Sequence, residues 1–487
     1  MEQICFEFEN VEVTYLDKEI LKIDRLAIHQ FDRIGIVGKN GAGKSTILKL
    51  LAGNVQPTKG KVLRHVEFGY FEQIEAPPAL EADPVLLGKL DIPEDSIQLS
   101  GGEQTRLKLA QLFTHYYEAL LIDEPTTHLD QDGISFFLDE LRYYYGALVL
   151  ISHDRVVLDE LVTTIWEMDE GKVRVYSGNY SEYAVQKKLE REQQQKAHEQ
   201  FIKEKSRLEK AAQEKMKKAQ KVAQAKRMSK REANALPNKS LMTKSKGTSQ
   251  KAMQHAAKAI ESRMEKLQEV EAVKEDKPII FHPSKTVELH NKFPIMADRF
   301  TLKVENKVLL EDVRFQLPLG QKIAISGSNG SGKSTLLHHI ANLDSNLIIS
   351  PKAKMGYFKQ MSYQFTSNET VLQFVKNRSE YDETFLRRIL HSMQFVGTDI
   401  QKNVKSLSGG EVIRLQLCQL FLGEYNILLL DEPTNFLDIH AIEALETFFA
   451  GYEGTILFVS HDKQFIKNVA DFQLNIHEKK LIQHSID

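Results

Sequence analysis

The sequence predicts an α/β protein whose chain folds as two similar halves joined by a long α-helical hairpin. The motifs GKNGAGKS, LSGGE and LLIDEPT of the first half return in the same order as GSNGSGKS, LSGGE and LLLDEPT. Apolar runs of strand length precede the glycine-rich and acidic motifs in both halves. Between the halves the composition changes to Lys, Glu, Gln and Ala, which favours long helices. We therefore expect domains at 1–184 and 278–487, and a linker at 185–277 with its tip near 234–250.

The length and composition indicate several packed domains without a membrane segment. At 487 residues and 42% hydrophobic content, the chain can bury two or three cores. The start, MEQICFEFEN, lacks the form of a signal peptide, and no run of about 20 apolar residues occurs. We therefore expect a cytoplasmic protein with no fused membrane domain. The only cysteines, Cys5 and Cys418, lie far apart in apolar patterns, which predicts buried, inert thiols.

The repeated glycine-rich motif has the form GxxxxGK[ST], which is typical of a phosphate-binding loop. In the first half it follows an apolar strand, 33–37, and opens an apolar-periodic helix, 46–51. Glycines let backbone N–H groups face phosphate oxygens, and the helix N-terminus adds partial positive charge. The lysine reaches the β- and γ-phosphates, and the following serine is placed to bind Mg²⁺. The predicted ATP-binding residues of the two loops are Gly38, Asn40, Gly41, Gly43, Lys44, Ser45 and Thr46, and Gly327, Asn329, Gly330, Gly332, Lys333, Ser334 and Thr335.

Two further apolar strands, 119–122 and 427–430, each end in Asp-Glu. A parallel strand delivers both carboxylates to the sheet edge where the phosphate loop lies. We expect Asp123 and Asp431 to hold Mg²⁺, largely through water. The following residues, Glu124 and Glu432, are predicted to be the general bases that orient the attacking water.

Histidine and glutamine also recur in equivalent positions. His153 and His461 each end a strand in the form ISHD or VSHD, and their repetition favours a catalytic contact with the γ-phosphate. Gln73 and Gln360 each follow an aromatic pair, and we expect them to bind Mg²⁺ and the water.

This ordered set of motifs resembles the ABC ATPases, for which LSGGE is the hallmark. The resemblance implies two ABC-type P-loop nucleotide-binding domains that hydrolyse ATP to ADP and phosphate, paired within one monomeric chain. It also implies that LSGGE caps the ATP of the opposite half. Ser408, Gly409 and Gly410 would then complete the site of Lys44, and Ser100, Gly101 and Gly102 that of Lys333.

The two halves differ where such ATPases stack an aromatic ring on adenine. Tyr15 lies 23 residues before Gly38, at the position expected for this ring. The equivalent residue of the second half is Val304, so adenine there needs another group, for which Phe300 is the candidate. The two sites are therefore expected to turn over unequally.

Two cassettes and a basic helical linker resemble the ABC-F family, and within it the macrolide and streptogramin resistance proteins of the Msr and Mel type. From Lys215 to Lys258 the linker has thirteen Lys or Arg against one acid, Glu232. Such a cationic hairpin attracts RNA phosphates without reading sequence. Only 25 residues separate Gln73 from Leu99, which leaves no room for the arm inserted there in several housekeeping members.

The resemblance implies binding to the bacterial 70S ribosome, with its 23S rRNA and tRNA, at the tRNA exit site. The linker tip would displace macrolide-class drugs, and ATP hydrolysis would release the protein. Two alternatives stay open: the ATPase subunit of a macrolide efflux transporter whose membrane protein is separate, and a housekeeping translation factor. The tip residues predicted to reach the drug site are Lys239, Leu241, Met242 and Lys244.

Overall fold

A computed structural model describes most of the chain. Contacts divide the chain into two compact units: Met1–Tyr183 together with Lys277–Asp487, and Ala184–Asp276. The tip residues predicted from the sequence lie outside the described residues. Only the backbone is described for residues 18 and 219–225. The described residues are 3–15, 18–72, 82–90, 92, 101–126, 129–225, 255–256, 258–260, 262–263, 279–281, 289–305, 307–359 and 365–486.

The first half combines a six-stranded sheet with a three-stranded antiparallel sheet. The six strands run in the order β5-β6-β7-β3-β8-β9, parallel except for β9, and the smaller sheet has the order β2-β1-β4. The strands are β1 Ile4–Tyr15, β2 Lys18–His29, β3 Arg33–Gly38, β4 Lys59–Arg64, β5 Phe68–Phe71, β6 Ala119–Asp123, β7 Ala147–Ile151, β8 Thr164–Asp169 and β9 Lys172–Ser177. The helices are α1 Lys44–Ala52, α2 Pro84–Lys89, α3 Gly101–Thr114, α4 Gln131–Arg142 and α5 Arg155–Leu161.

The linker begins with one long helix, α6, Tyr180–Ala225. Within the second unit Leu208 and Ala212 of this helix are buried. Nη2 of Arg263, on the returning part of the linker, lies 3.8 Å from Oε1 of Glu204 on α6. In the described part of the chain, no helix combines the length and the apolar character that a membrane crossing requires.

The second half repeats the architecture of the first. Its larger sheet has the order β14-β15-β16-β12-β17-β18, and its smaller sheet the order β11-β10-β13. The strands are β10 Ile295–Val304, β11 Lys307–Leu317, β12 Lys322–Gly327, β13 Ile348–Ile349, β14 Met355–Phe358, β15 Ile427–Asp431, β16 Thr455–Val459, β17 Phe472–His477 and β18 Lys480–Ser485. The helices are α7 Lys333–Ala341, α8 Val371–Lys376, α9 Glu383–Ser392, α10 Gly409–Leu422, α11 Ile439–Gly451 and α12 Lys463–Val469, with 3₁₀ turns at Gly397–Gln401 and Val404–Ser406.

The central parallel strands explain where the polar motifs meet. Every residue of β6, β7, β15 and β16 is buried, because helices cover both faces of a parallel sheet. The strands predicted at 33–37, 119–122 and 427–430 are found as β3, β6 and β15, each one residue longer. Their carboxyl ends bring the acidic motifs beside the phosphate loops. Both cysteines are buried and free, as the sequence predicts.

Candidate active sites

Each phosphate loop turns into its helix through a glycine with positive φ. Gly43 has φ 100° and Gly332 has φ 107°, a left-handed conformation that side chains rarely adopt. A Cβ atom on Gly332 would also lie 3.1 Å from the side chain of Leu309. The turn leaves the N–H groups at the start of α1 and α7 directed outward, which suits an anionic phosphate.

The loop lysines are buried and held by the loop itself. Lys44 Nζ donates to the carbonyls of Gly38 at 2.8 Å and Lys39 at 3.2 Å. Lys333 Nζ donates to the carbonyl of Gly327 at 2.8 Å. Burial lowers the pKa of both lysines, whereas the neighbouring carboxylates oppose that change. Both ammonium groups therefore lie beside the space that phosphates would fill.

A serine hydroxyl and an aspartate meet in each half. Ser334 Oγ donates to Asp431 Oδ1 at 2.8 Å, and the Ser45 side chain also forms a hydrogen bond with Asp123. Burial raises the pKa of both aspartates, and the serine hydrogen bonds partly offset this. The buried Asp123 Oδ1 has no hydrogen bond from the described residues. Hydroxyl and carboxylate oxygens are ligands that Mg²⁺ prefers, so the residues present fit that ion.

The two predicted bases, Glu124 and Glu432, have the same unusual environment. Each has a left-handed backbone, with φ 51° and 49°, which is strained for a non-glycine residue. The Glu124 carboxylate lies 3.1 Å from His153 Nε2, and the Glu432 carboxylate lies 3.3 Å from His461 Nε2. Burial raises the pKa of both glutamates to about 8, despite the nearby lysines.

The histidines show the opposite effect of burial. It lowers the pKa of His153 to about 3 and that of His461 to about 4, and the nearby loop lysine acts in the same direction. Neutral imidazoles beside buried acids can donate a hydrogen bond to a phosphate oxygen. Strained backbones and acids with strongly shifted pKa values, found together in one cleft, are typical of catalytic sites.

Both cavities are built from the two halves of the chain. The larger, about 690 Å³, brings Lys44 together with the LSGGE region of the second half. The smaller, about 530 Å³, brings Lys333 together with that of the first half. From the opposite half, the first cavity is lined by Ser408, Gly410, Glu411, Arg414 and Asn435, and the second by Gly102, Glu103, Arg106, Thr126 and Leu129.

Some predicted residues stand apart from these cavities. Gly101 and Gly409 begin α3 and α10 but do not line either cavity. Ser100, Gln73 and Gln360 lie outside the described residues.

An aspartate after each acidic motif joins the halves, and sequence reasoning missed both. Asp438 Oδ2 accepts from the backbone N–H of Asn40 at 2.7 Å, and Asp130 Oδ2 from that of Asn329 at 3.3 Å. Both aspartates also cap helices, α11 and α4. The signal was available, because HLD and FLD recur at the offset of 308 that relates Asp123 to Asp431.

The adenine side of the two cavities differs. Tyr15 lines the Lys44 cavity and is 59% exposed, so its ring is free to stack on a base. The suggestion that Phe300 replaces it in the second half is wrong. That ring is only 2% exposed within the core between β10, β11 and the larger sheet. Leu309 lines the Lys333 cavity, and Val304 is exposed on the strand.

Comparisons with known proteins agree with this arrangement. A family described as ABC transporter matches residues 21–78 and 310–435, and a second profile of the same description matches 166–234. The chain is 40% identical to the erythromycin resistance ATP-binding protein MsrA of Staphylococcus epidermidis, over 97% of each chain. It is 31% identical to the ribosome protection protein VmlR of Bacillus subtilis (strain 168), over 96% of this chain and 86% of that one.

A solved structure shares the fold at low sequence identity. The structure called RNase-L Inhibitor superposes with a TM-score of 0.63 at 17% identity, covering 98% of this chain and 91% of that one. The likeness extends through both cassettes.

Proposed function

The chain belongs to the ABC-F family of ATPases, and from that premise we propose that it protects bacterial ribosomes from macrolide and streptogramin antibiotics. It binds the 70S ribosome at the tRNA exit site, where it meets 23S rRNA and tRNA. Its linker then displaces the drug, and hydrolysis of ATP releases the protein.

The observation that carries this proposal is the likeness to the erythromycin resistance protein over almost the whole length of both chains. The charge of the linker supports it independently. Thirteen basic residues against one acidic residue between Lys215 and Lys258 would neutralise RNA phosphates and release their counterions. We therefore infer a cytoplasmic, ribosome-associated monomer whose two cassettes pair with each other.

The ATPase reaction follows from the two composite cavities. The loop N–H groups and Lys44 bind the phosphates, while Ser408 and Gly410 approach the same nucleotide from the other half. Glu124, once deprotonated, accepts a hydrogen bond from the attacking water and aligns it with the γ-phosphorus. His153 contacts the γ-phosphate oxygens. The corresponding residues around Lys333 do the same work in the second cavity.

Mg²⁺ would be held by Ser45 and Asp123 in one cavity and by Ser334 and Asp431 in the other, where it would neutralise phosphate charge. Gln73 and Gln360 are proposed to complete these sites. Because each cavity has walls from both halves, nucleotide binding favours closure of the cassettes. Loss of the γ-phosphate removes contacts to both walls and favours opening.

The proposed drug-displacing residues are Lys239, Leu241, Met242 and Lys244 at the linker tip. The two apolar side chains suit contact with a hydrophobic macrolide, and the lysines suit the surrounding RNA. Deleting 237–246 should therefore abolish drug displacement and leave ATP hydrolysis unchanged. Retained displacement would remove the tip from the mechanism.

The decisive experiment is co-sedimentation of the Glu124→Gln, Glu432→Gln protein with 70S ribosomes that carry labelled erythromycin. With ATP, we expect the protein to pellet with ribosomes and the drug to be lost from them. The same protein without ATP is the matched control. Binding without drug loss would favour a housekeeping translation factor. No binding would favour an ATPase subunit that serves a separate efflux protein.

A further inference from the structure

A chain of hydrogen bonds on the Lys44 side links the two halves. Arg414, on helix α10, which begins within LSGGE, donates to Gln394 Oε1 at 2.6 Å. Gln394 Nε2 donates to Asp438 Oδ1 at 2.5 Å. The other oxygen of Asp438 accepts from the backbone N–H of Asn40 at 2.7 Å, in the phosphate loop of the opposite half. One residue, Gln394, therefore connects the LSGGE helix of one half to the phosphate loop of the other.

The amide of Gln394 suits both of its neighbours. Its oxygen accepts from the Arg414 guanidinium and its NH₂ group donates to the Asp438 carboxylate, whereas an ionised glutamate in its place could only accept. The carboxylate of Asp438 is fully buried, and Arg414 is 6% exposed. Burial alone would raise the pKa of Asp438, but the N–H groups of Asn40 and Ala441 hold it below its usual value. Such buried chains of donors polarise one another and strengthen each link.

A buried ion pair reinforces the same side of the interface. Arg155 lies two residues after His153, and its Nη2 is 2.7 Å from Oε1 of Glu446. Glu446 is on α11, the helix that Asp438 caps. Asn468 also donates to this carboxylate at 3.0 Å. Both charged side chains are largely buried, at 11% and 19% exposure, so breaking the pair would leave an uncompensated buried charge.

The Lys333 side has a different construction. Its equivalent contact, Asp130 to the N–H of Asn329, is longer at 3.3 Å. The offset of 308 places Leu138 at the position of Glu446 and Lys463 at that of Arg155. A leucine cannot form an ion pair. In its place lies a cavity of about 180 Å³, lined by Leu138 and Lys463.

We propose that the cassettes remain engaged at the Lys44 site through the Arg414–Gln394–Asp438–Asn40 chain and separate first at the Lys333 site. Gln394 is then a positioning residue for the Lys44 site. ATP held at Lys44 is released slowly and keeps the halves together between turnovers. This proposal concerns the ATPase cycle and does not depend on the ribosome, so its test uses purified protein alone.

The test measures release of mant-AMPPNP, a fluorescent ATP analogue that is not hydrolysed, from the full-length protein after a chase with ATP. We expect two phases of equal amplitude. In a parallel experiment the protein is preloaded with 8-azido-ATP instead and chased with ATP. Irradiation after the fast phase should then label peptides within residues 1–184, on the Lys44 side. A single phase, or a slow phase that maps to residues 278–487, would overturn the proposal.

Gln394→Glu should accelerate the slow phase by about tenfold or more, because two carboxylates then face each other, and leave the fast phase within about twofold. Gln401→Glu is the matched control, since Gln401 is exposed in the same segment. Equal acceleration of both phases by Gln394→Glu would contradict a role at one site.

A second pair of variants tests the same interface even if the Gln394→Glu protein does not fold: one strengthens the Lys333 side and the other weakens the Lys44 side. Leu138→Glu with Lys463→Arg copies the Arg155–Glu446 pair onto the Lys333 side, where the cavity provides room. This double variant should slow the fast phase several-fold. Glu446→Leu should accelerate the slow phase. If neither variant altered its own phase, the ion pair would not hold the interface.

Discussion

Glu124 Oε1 lies 3.1 Å from His153 Nε2, with both side chains less than one-fifth exposed. The backbone of Glu124 is strained, and its amide donates to the carbonyl of Ile151, the last residue of the neighbouring strand. Two adjacent strands therefore fix the acid and the imidazole against each other. The same relationship is found between Glu432 and His461, so this geometry is a feature of the fold that the two halves share.

Glu124→Gln with Glu432→Gln should lower ATP hydrolysis by at least ~100-fold, because general-base groups contribute roughly that factor. The amide keeps the volume of the carboxyl, so ATP binding should persist and the protein should retain ATP after gel filtration. Phosphate release and retained nucleotide are the two measurements. Glu453→Gln, at an exposed position, is the control. Normal turnover in the double variant would reject both glutamates as bases.

The same acids predict how stability depends on pH in the nucleotide-free protein. Their pKa is raised from 4.5 to about 8 in the folded state, so the folded protein binds these protons more tightly than the unfolded chain. Their contribution to the free energy of unfolding should therefore fall as pH rises from about 4.5 to 8. The double Glu→Gln variant, which has no charge to bury, should escape this loss.

Thermal unfolding of wild type and the double variant at several pH values measures this difference. At pH 8.5 we expect the variant to be more stable by about 1–3 kcal/mol per site, and at pH 4 the two proteins should nearly coincide. Other titrating groups are common to both proteins and cancel. A difference that grew toward low pH would have the wrong sign.

Tyr15→Ala should weaken nucleotide binding at the Lys44 site by roughly tenfold, the usual effect of losing a stacked ring. The Tyr15 ring lines the cavity and is exposed, so its loss should not disturb the core. Binding of mant-ATP is measured in a chain whose second site is silenced by Lys333→Ala. Val304→Ala is the matched control, and equal effects of the two changes would argue against stacking.

Sequence reasoning located the motifs that lie at strand ends, because glycine turns and apolar strands have local signatures. It missed Asp130 and Asp438, since an aspartate before a helix looks like an ordinary N-cap. It could not pair Arg155 with Glu446, because the two lie 291 residues apart and no local pattern relates them. Contacts between the halves form only when the whole chain folds, so local sequence patterns do not reveal them.

The error at Phe300 has a specific physical cause. The pairing of β10 with β11 shifts register between Ala297 and Phe300, and Arg299 has φ 54°. A β-bulge of this kind changes which face the following side chains occupy. The bulge directs the Phe300 ring into the core, whereas strict alternation from the buried Ile295 and Ala297 would place this ring on the exposed face.

The linker provides a test of RNA contact that is independent of drug displacement. Replacing Lys217, Lys218, Lys226 and Arg227 by Gln should weaken ribosome binding by at least ~10-fold at moderate salt. Each lost phosphate contact should also lower the slope of log affinity against log salt by about one. Affinity is measured by sedimentation of the Glu124→Gln, Glu432→Gln protein at several salt concentrations.

The matched control removes four positive charges from the first cassette, where each is paired with a glutamate: Lys22, Arg25, Lys59 and Lys61. Both variants change the net charge equally, so general attraction to the ribosome falls by a similar amount in each. Only local contact by the linker predicts that its variant loses more affinity and more salt dependence. Equal losses would mean that the basic residues act through net charge, and that another surface makes the RNA contacts.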